Sequence, residues 1–168
     1  MTDVIREIAE TDSDAPRAHR PAVREAAQAA YDALFEVELA DPVPGVDADL
    51  RHLIAARAAW VDRDAAATEW YLARTAHPEA AALATDGPDG AAGVRAPRRI
   101  RAALRHVDLL VARPAASTRD DLTALTAAGW SAAEVIVISQ IVGFVSYQVR
   151  VAHALRVQEE LALAEEDA

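Results

Sequence analysis

The segment from Thr118 to Val157 constrains the fold more than any other part of the chain, because its helix signals are consecutive and complete. Thr118 followed by Asp121 has the spacing of a capping box, in which two side chains satisfy the first free amides of a helix. Gly129 suits the left-handed residue that ends a helix. The first half of the segment therefore predicts one short helix with both of its ends defined.

The second half of the segment predicts a longer helix. Ser131 and Glu134 repeat the capping-box spacing directly after the glycine. From Val135 to Val145 nearly every residue is apolar, so the pattern reserves no face for water. We expect this helix to lie at the centre of a bundle, surrounded by partner helices from this chain or from another subunit.

The composition favours helices over a sheet. The chain has 168 residues, of which 52% are hydrophobic and only 5% aromatic, and alanine is abundant. This predicts one all-α domain, a bundle of about six to seven helices whose C-terminal half is built on the long buried helix. The formal net charge is -10, and all 17 basic residues are arginines scattered through the helices, which argues against nucleic acid as a partner.

Two absences narrow the location and the chemistry. The start of the chain has no basic segment followed by an apolar one, and the apolar runs fall short of a membrane span of ~20 residues, so we expect a cytoplasmic protein without a membrane partner. The chain has no cysteine, which excludes disulfides, thiolate metal sites and every thiol mechanism.

Caps, prolines and helical periodicity place the remaining elements and the domain boundaries. They predict a polar lead over residues 1–20, one domain over 21–157 and an acidic tail over 158–168. In the first half of the domain we expect helices from Pro21 to about Leu39, from a cap at Asp47 or Asp49 to Val61, and from Ala65 to Thr75, followed by a short helical piece from Glu79. An exposed loop over 86–96 joins the two halves, and Pro97 then opens a helix that stops before Pro114.

A polar stripe interrupts the apolar surface of the long helix. It steps by four, three, four and three residues, so its members share one face: Ser139, Gly143, Ser146, Arg150 and His153. Arg150 could hold a carboxylate in a fork of donors while Ser146 orients it. In the alternative interpretation the small residues let a neighbouring helix approach, and Arg150 and His153 reach solvent or a salt bridge.

The segment from Arg113 to Val157 resembles the second half of the AhpD-like (alkylhydroperoxidase D and carboxymuconolactone decarboxylase) superfamily, especially its peroxidase-related branch. Phe144 and Arg150 follow the family's F-x-N-x-x-x-R type motif, except that Ser146 stands where the family usually has asparagine. The resemblance covers about the last third of the chain. It implies an all-α bundle that assembles as a trimer or hexamer, and it names no cofactor.

The resemblance also implies where the family's redox residues would fall. It puts His52 at the glutamate, Asp64 and Ala67 at the two cysteines, and Trp70 or Tyr71 at the histidine. Every one of these positions is replaced. The family's thiol peroxidase reaction is therefore excluded for this chain, whatever its fold.

The remaining candidates are acid and base groups. His52 with Asp64 and Glu69 could exchange protons in the inherited pocket, because a histidine beside a carboxylate is a common proton-transfer pair. Alternatively Asp64 caps the third helix, Glu69 is solvated and His52 covers a neighbour. Ligand-binding candidates are Arg150, Ser146, His153 and Trp70. No set of residues predicts a metal site.

Two functions remain open from the sequence. The first is a non-redox binding or structural subunit of an oligomer, formed with copies of itself or with a cysteine-bearing paralogue. The second is a cofactor-free acid and base enzyme of the decarboxylase or lactone type, in which Arg150 binds a small carboxylate and His52 moves the proton. The second function requires these side chains to meet in one concave pocket.

Overall fold

The computed structural model describes residues 3–11, 15–36, 43 and 45–166, and this part of the chain contains helices and no β-strand. The all-α prediction is confirmed. The number of helices exceeds the predicted six to seven because several are too short to be recognised from periodicity. The α-helices are α1 (Val4–Ala9), α2 (Ala15–Ala18), α3 (Pro21–Phe35), α4 (Ala48–Val61), α5 (Ala65–Leu72), α6 (Ala80–Asp86), α7 (Ala91–Arg95), α8 (Arg98–Ala112), α9 (Arg119–Ala127) and α10 (Ala132–Glu166).

The predicted caps are present. Asp47, the first of the two candidates, accepts a hydrogen bond from the Leu50 amide at 2.9 Å and begins α4. Thr118 and Asp121 form the capping box of α9, and Gly129 follows that helix with a φ of 96°. Local chemistry thus fixes where these helices begin and end.

The N-terminal prediction is wrong for residues 4–9. They form α1, with Asp3 as its cap, and Val4, Ile5 and Ile8 are buried. α1 packs against α10, so it belongs to the core instead of forming a polar lead. Its few apolar residues are too local a signal to predict burial, which depends on the distant helix that covers them.

The segment predicted as an exposed loop over 86–96 contains α7 and is partly buried. Gly93 lies so close to the preceding turn that an added Cβ would stand 2.1 Å from the Gly87 carbonyl oxygen. Arg57 of α4 supports the same turn, donating to the carbonyls of Ala84 and Thr85 at 2.8 and 3.1 Å. The buried guanidinium and the buried Ala92 both hold this connection against the bundle.

Three helix ends differ from prediction. α3 ends at Phe35, and the predicted end at Leu39 lies outside the described residues, as do residues 41, 42 and 44 of the predicted break. α5 ends at Leu72, not Thr75. α10 continues to Glu166, so the segment from 158 is a helix in the described chain and not a separate tail.

α4 and α10 form the centre of the bundle. α4 is buried from Leu50 to Ala59, and α10 packs against α1, α4 and α8. α10 is also long and apolar enough to cross a membrane by length and composition, with 39% of its most apolar stretch buried, a weak signal that the core helix of a bundle gives as well. Its opposite face is exposed to solvent.

Candidate functional site

His52 lies on the buried face of α4, in an aromatic environment. Its Nδ1 is 2.7 Å from the Ala48 carbonyl oxygen, which can only accept, so Nδ1 carries the proton and Nε2 presents a lone pair. That Nε2 is buried and has no partner in the described chain. The ring packs on Phe35 with 5.1 Å between centroids. Burial lowers the pKa of His52, which keeps the imidazole neutral.

Tyr71 of α5 and Gln148 of α10 complete a buried polar cluster with this histidine. The Tyr71 hydroxyl donates to Gln148 Oε1, and the Tyr71 and His52 rings are 6.3 Å apart. The Gln148 amide nitrogen is buried without a partner in the described chain. Burial raises the pKa of Tyr71 well above its ordinary value, so the phenol remains protonated. We call these three residues the His52 centre.

The His52 centre therefore offers neutral hydrogen-bonding groups and no thiol. The histidine keeps one unpartnered acceptor and the glutamine keeps one unpartnered donor. The resemblance puts His52 at the family's glutamate and either Trp70 or Tyr71 at its histidine; of these two, Tyr71 has its ring 6.3 Å from that of His52.

Asp64, which the resemblance puts at the first cysteine, is held by structural contacts. Its Oδ1 accepts from the Ala67 amide at 2.8 Å and caps α5, as the alternative interpretation proposed. Both carboxylate oxygens also accept from Arg156 of α10, at 2.8 and 3.2 Å. Arg156 in turn donates to the carbonyl of Ile8, so one ion pair joins α1, α5 and α10. Ala67, which the resemblance puts at the second cysteine, is fully buried.

Glu69 and Trp70 lie away from the buried cluster. Glu69 is exposed on α5. Trp70 lies at the rim, where its indole nitrogen donates to Glu7 at 3.1 Å and the Arg74 guanidinium stands 3.3 Å above its ring. Its ring touches that of Tyr71 edge-on, with centroids 4.9 Å apart. Trp70 thus borders the His52 centre without presenting a free polar atom to it.

Arg150 and Ser146 belong to a separate surface cluster. Ser146 donates to Asp62 at 3.0 Å, and Arg150 donates to the Ser146 carbonyl at 2.5 Å. The Arg150 guanidinium is 4.0 Å from Asp62, and its side chain is 67% exposed. His153 is exposed one turn further along α10. This arrangement matches the alternative interpretation, in which Arg150 reaches solvent and a carboxylate.

The required convergence of His52 and Arg150 is not observed. His52 is buried among aromatic rings, whereas Arg150 lies on the surface beside Asp62. Three surface cavities of the described chain are lined by other residues: one between α8 and α9, one beside Trp60, and one beside Ile136. The described residues also include no group of three or more histidine, aspartate or glutamate side chains placed to hold a metal ion.

Sequence reasoning missed Gln148 and Asp62. Gln148 is fully buried, and a glutamine within an apolar core helix is the signal that could have identified it. Asp62 lies in the turn before α5, and nothing in its local sequence predicts that it meets α10.

Comparison with known proteins identifies the fold. No family model matches the sequence, and no curated protein matches it. A solved structure does: the alkylhydroperoxidase AhpD core of an uncharacterized peroxidase-related protein from Ralstonia eutropha. The two sequences are 23% identical, the match covers 82% of this chain and 70% of that chain, and the TM-score is 0.58. The chain therefore has the AhpD-like fold, in a form without cysteine.

Proposed function

We propose that this chain is a non-redox structural subunit of a cytoplasmic homo-oligomer that keeps the AhpD-like fold without its thiol chemistry. The observation that carries the proposal is a continuous exposed face on α10. Its members recur at steps of four and three residues and are all exposed: Ile136, Gln140, Gly143, Tyr147, Arg150, Ala154, Val157, Leu161 and Ala164. We call this face the α10 seam.

The α10 seam has the spacing of a helix-pairing surface. Alternating steps of three and four residues are the heptad pattern that keeps one face of a helix against a partner helix. The seam spans about 42 Å, given a rise of about 1.5 Å per residue. Ile136 and Leu161 are 58% and 60% exposed in the single chain, and Tyr147 and Val157 are each 39% exposed. Covering such side chains favours association by about 25 cal/mol per Å² of apolar surface removed from water.

Charge favours an antiparallel second copy as the partner. The C-terminal end of α10 carries Glu159, Glu160 and Glu165, whereas the stretch from Ile136 to Tyr147 carries no charge. A parallel pair would bring the acidic ends together, and an antiparallel pair separates them by the length of the seam. Gly143 also suits this contact. No neighbouring atom within the described chain requires a glycine there, since an added Cβ would meet nothing within 4 Å.

Loss of the redox centre is the second support for the proposal. The position assigned to the first cysteine holds Asp64, whose carboxylate is committed to a helix cap and to Arg156. The position assigned to the second holds a buried alanine. Neither residue can form or resolve a sulfenic acid. The replacements therefore remove the thiol reaction, but they do not affect the exposed face of α10 through which we propose that the chain assembles.

The proposal has a direct activity test. The full chain is incubated with a hydroperoxide and dithiothreitol, and peroxide consumption is followed against a protein-free control. We expect no consumption above the control. Robust turnover would overturn the non-redox role, because it would require a peroxide-reducing group that the chain does not contain.

The partner is tested separately by mass in solution. We expect sedimentation velocity to give an even multiple of the 17.9 kDa chain, since two-fold pairing turns one chain into a dimer, or the trimer implied by the resemblance into a hexamer. The other partner considered is a cysteine-bearing paralogue. A chain that is monomeric alone and sediments as a complex only after mixing with such a paralogue would replace the homo-oligomer with a hetero-oligomer.

One observation favours a second function, acid and base catalysis at the His52 centre. The unpartnered Nε2 of a neutral histidine beside a phenol can accept a proton, but His52 lines none of the three cavities described above, so a lactone reaches it only if the surrounding helices move apart. In this case Arg150 is not the anion site. Hydrolysis of γ-butyrolactone, followed by proton NMR, should then disappear in His52→Gln and persist in Arg150→Gln; no hydrolysis by the wild-type chain would exclude this reaction.

A further inference from the structure

The groove between α8 and α9 encloses a cavity of about 780 Å³ that is separate from the His52 centre and from the α10 seam. A volume between about 300 and 1,000 Å³ is typical of sites for organic ligands. Leu109 of α8 and Ala124 and Leu125 of α9 supply an apolar lining. The groove therefore has the size and the lining for an organic molecule, and an inorganic ion would fill only a small part of it.

Arginines form the charged wall of this groove. Arg98, Arg101 and Arg105 recur at steps of three and four residues, so they lie on one face of α8, and all three line the cavity together with Arg113. Arg98 and Arg113 make no ion pair or side-chain hydrogen bond within the described chain. In a protein with a formal net charge of -10, this is a local concentration of positive charge.

The negative charges in the groove leave these arginines incompletely neutralised. Asp108 is committed to Arg57, at 2.6 and 2.9 Å, and Asp121 is committed to its capping box. Asp89 lies at the rim and is 72% exposed, and it accepts from Arg101 at 3.0 Å and from Arg105 at 2.7 Å. An exposed carboxylate between two guanidinium groups occupies the position that the carboxylate of a ligand would take.

His106 adds a buried polar group to the lining of the groove. It lines the groove, and only 6% of its surface is exposed. The Ser139 hydroxyl donates to the Val135 carbonyl at 2.8 Å, so it accepts from His106 Nε2–H at 3.0 Å. The proton therefore resides on Nε2, and the buried Nδ1 has no partner in the described chain. This lone pair can only accept, so it cannot bind an anionic group, and the anion of a ligand must lie at the arginines instead.

We propose that the α8–α9 groove binds an organic anion with an apolar body, of the carboxylate or phosphate-ester class. Its anionic group replaces Asp89 between Arg101 and Arg105, and its apolar body lies along Leu109 and Leu125, over His106. Because this site lies outside the α10 seam, it does not depend on the proposed oligomer.

The test uses isothermal titration calorimetry of the full chain with octanoate, inorganic phosphate and 1-octanol. We expect octanoate to bind more tightly than either of the others, because only octanoate has both the charge and the apolar body. Phosphate binding as tight as octanoate would indicate a simple anion site, and octanol binding as tight would indicate an apolar patch. Either result, or no binding of octanoate, would overturn the proposal.

Variants locate the site. Arg105→Ala should weaken octanoate binding by at least about tenfold, because a hydrogen bond to a charged group contributes about 1.5–3 kcal/mol. Asp89→Asn should tighten it by removing the competing carboxylate. Arg119→Ala is the matched control, since Arg119 is an exposed arginine on α9 outside the lining, and it should bind as the wild type does. Equal affinities in Arg105→Ala and wild type would place octanoate elsewhere.

NMR supplies a readout that does not depend on affinity. Octanoate should shift the imidazole resonances of His106, which lines the groove, and leave those of His52 unchanged. Both are buried histidines with one unpartnered nitrogen, so each controls for the other. Equal shifts at both rings would show a general change in the protein and contradict a site in the groove.

Discussion

Replacing Asp64 with alanine should destabilise the protein more than most single substitutions, because this side chain joins three helices. Its Oδ1 caps α5 through the Ala67 amide, and both oxygens pair with Arg156, which holds α1 through the carbonyls of Ile8 and Ala9. Loss of a helix cap costs about 1 kcal/mol. Breaking a buried ion pair costs about 3–5 kcal/mol. The Arg156 side chain is 27% exposed, so water solvates the unpaired guanidinium and reduces this cost. We therefore expect a total of about 3–4 kcal/mol.

Urea denaturation followed by circular dichroism measures this loss. With a slope of about 2 kcal/mol per molar urea, the midpoint should fall by roughly 1.5–2 M. Asp64→Asn should lose less, because asparagine caps a helix about as well as aspartate and only the charge is removed. Arg156→Ala and the double variant complete a cycle whose coupling free energy should exceed 1 kcal/mol. A midpoint for Asp64→Ala within 0.5 M of the wild type, taking the slope as about 2 kcal/mol per molar, would refute the structural role given to this carboxylate.

Two further predictions concern pH and glycine. Burial lowers the pKa of His52 and of His106. Below the unfolded-state pKa of about 6.5, the unfolded chain therefore binds protons that the folded chain does not. The free energy of unfolding should for this reason fall from pH 7 to pH 5. His52→Phe should make this dependence shallower, as measured by urea midpoints across that range. Gly129→Ala should lower the free energy of unfolding by about 1 kcal/mol because of the residue's φ of 96°, since an added Cβ meets nothing within 4 Å. Gly143→Ala should raise the free energy of unfolding by about 0.5–1 kcal/mol in thermal melts of the dissociated chain, because alanine favours the helix and the site has open space. Equal effects of the two substitutions would contradict both assignments.

Local signals were readable from the sequence because they act within one turn of helix. The capping box at Thr118 and the left-handed Gly129 depend on side chains and dihedral angles a few residues apart. The interpretation of Asp64 as a cap was of the same kind, and it is correct. Its partner Arg156 was not predicted, because the two are 92 positions apart and only the packed bundle brings them together.

The arrangement of helices around one another was not readable. Hydrophobicity indicated that α10 is buried, but it could not show which face the other helices leave uncovered. The sequence likewise could not show that His52 and Arg150 lie apart, because their separation depends on how α4 and α10 are rotated against each other. His52 lies in the core, whereas Arg150 lies on the surface. Gln148 and Tyr71 meet across 77 positions, and no local pattern connects them.

The most direct test of the central claim is the mass of the full chain in solution, compared with two leucine variants of the same helix. Leu161 belongs to the α10 seam and Leu163 does not, yet they are 60% and 58% exposed and lie two residues apart. Sedimentation velocity should give an even multiple of 17.9 kDa for the wild type and for Leu163→Glu, and half of the wild-type mass for Leu161→Glu. A monomeric wild type, or equal dissociation of both variants, would contradict assembly through the α10 seam.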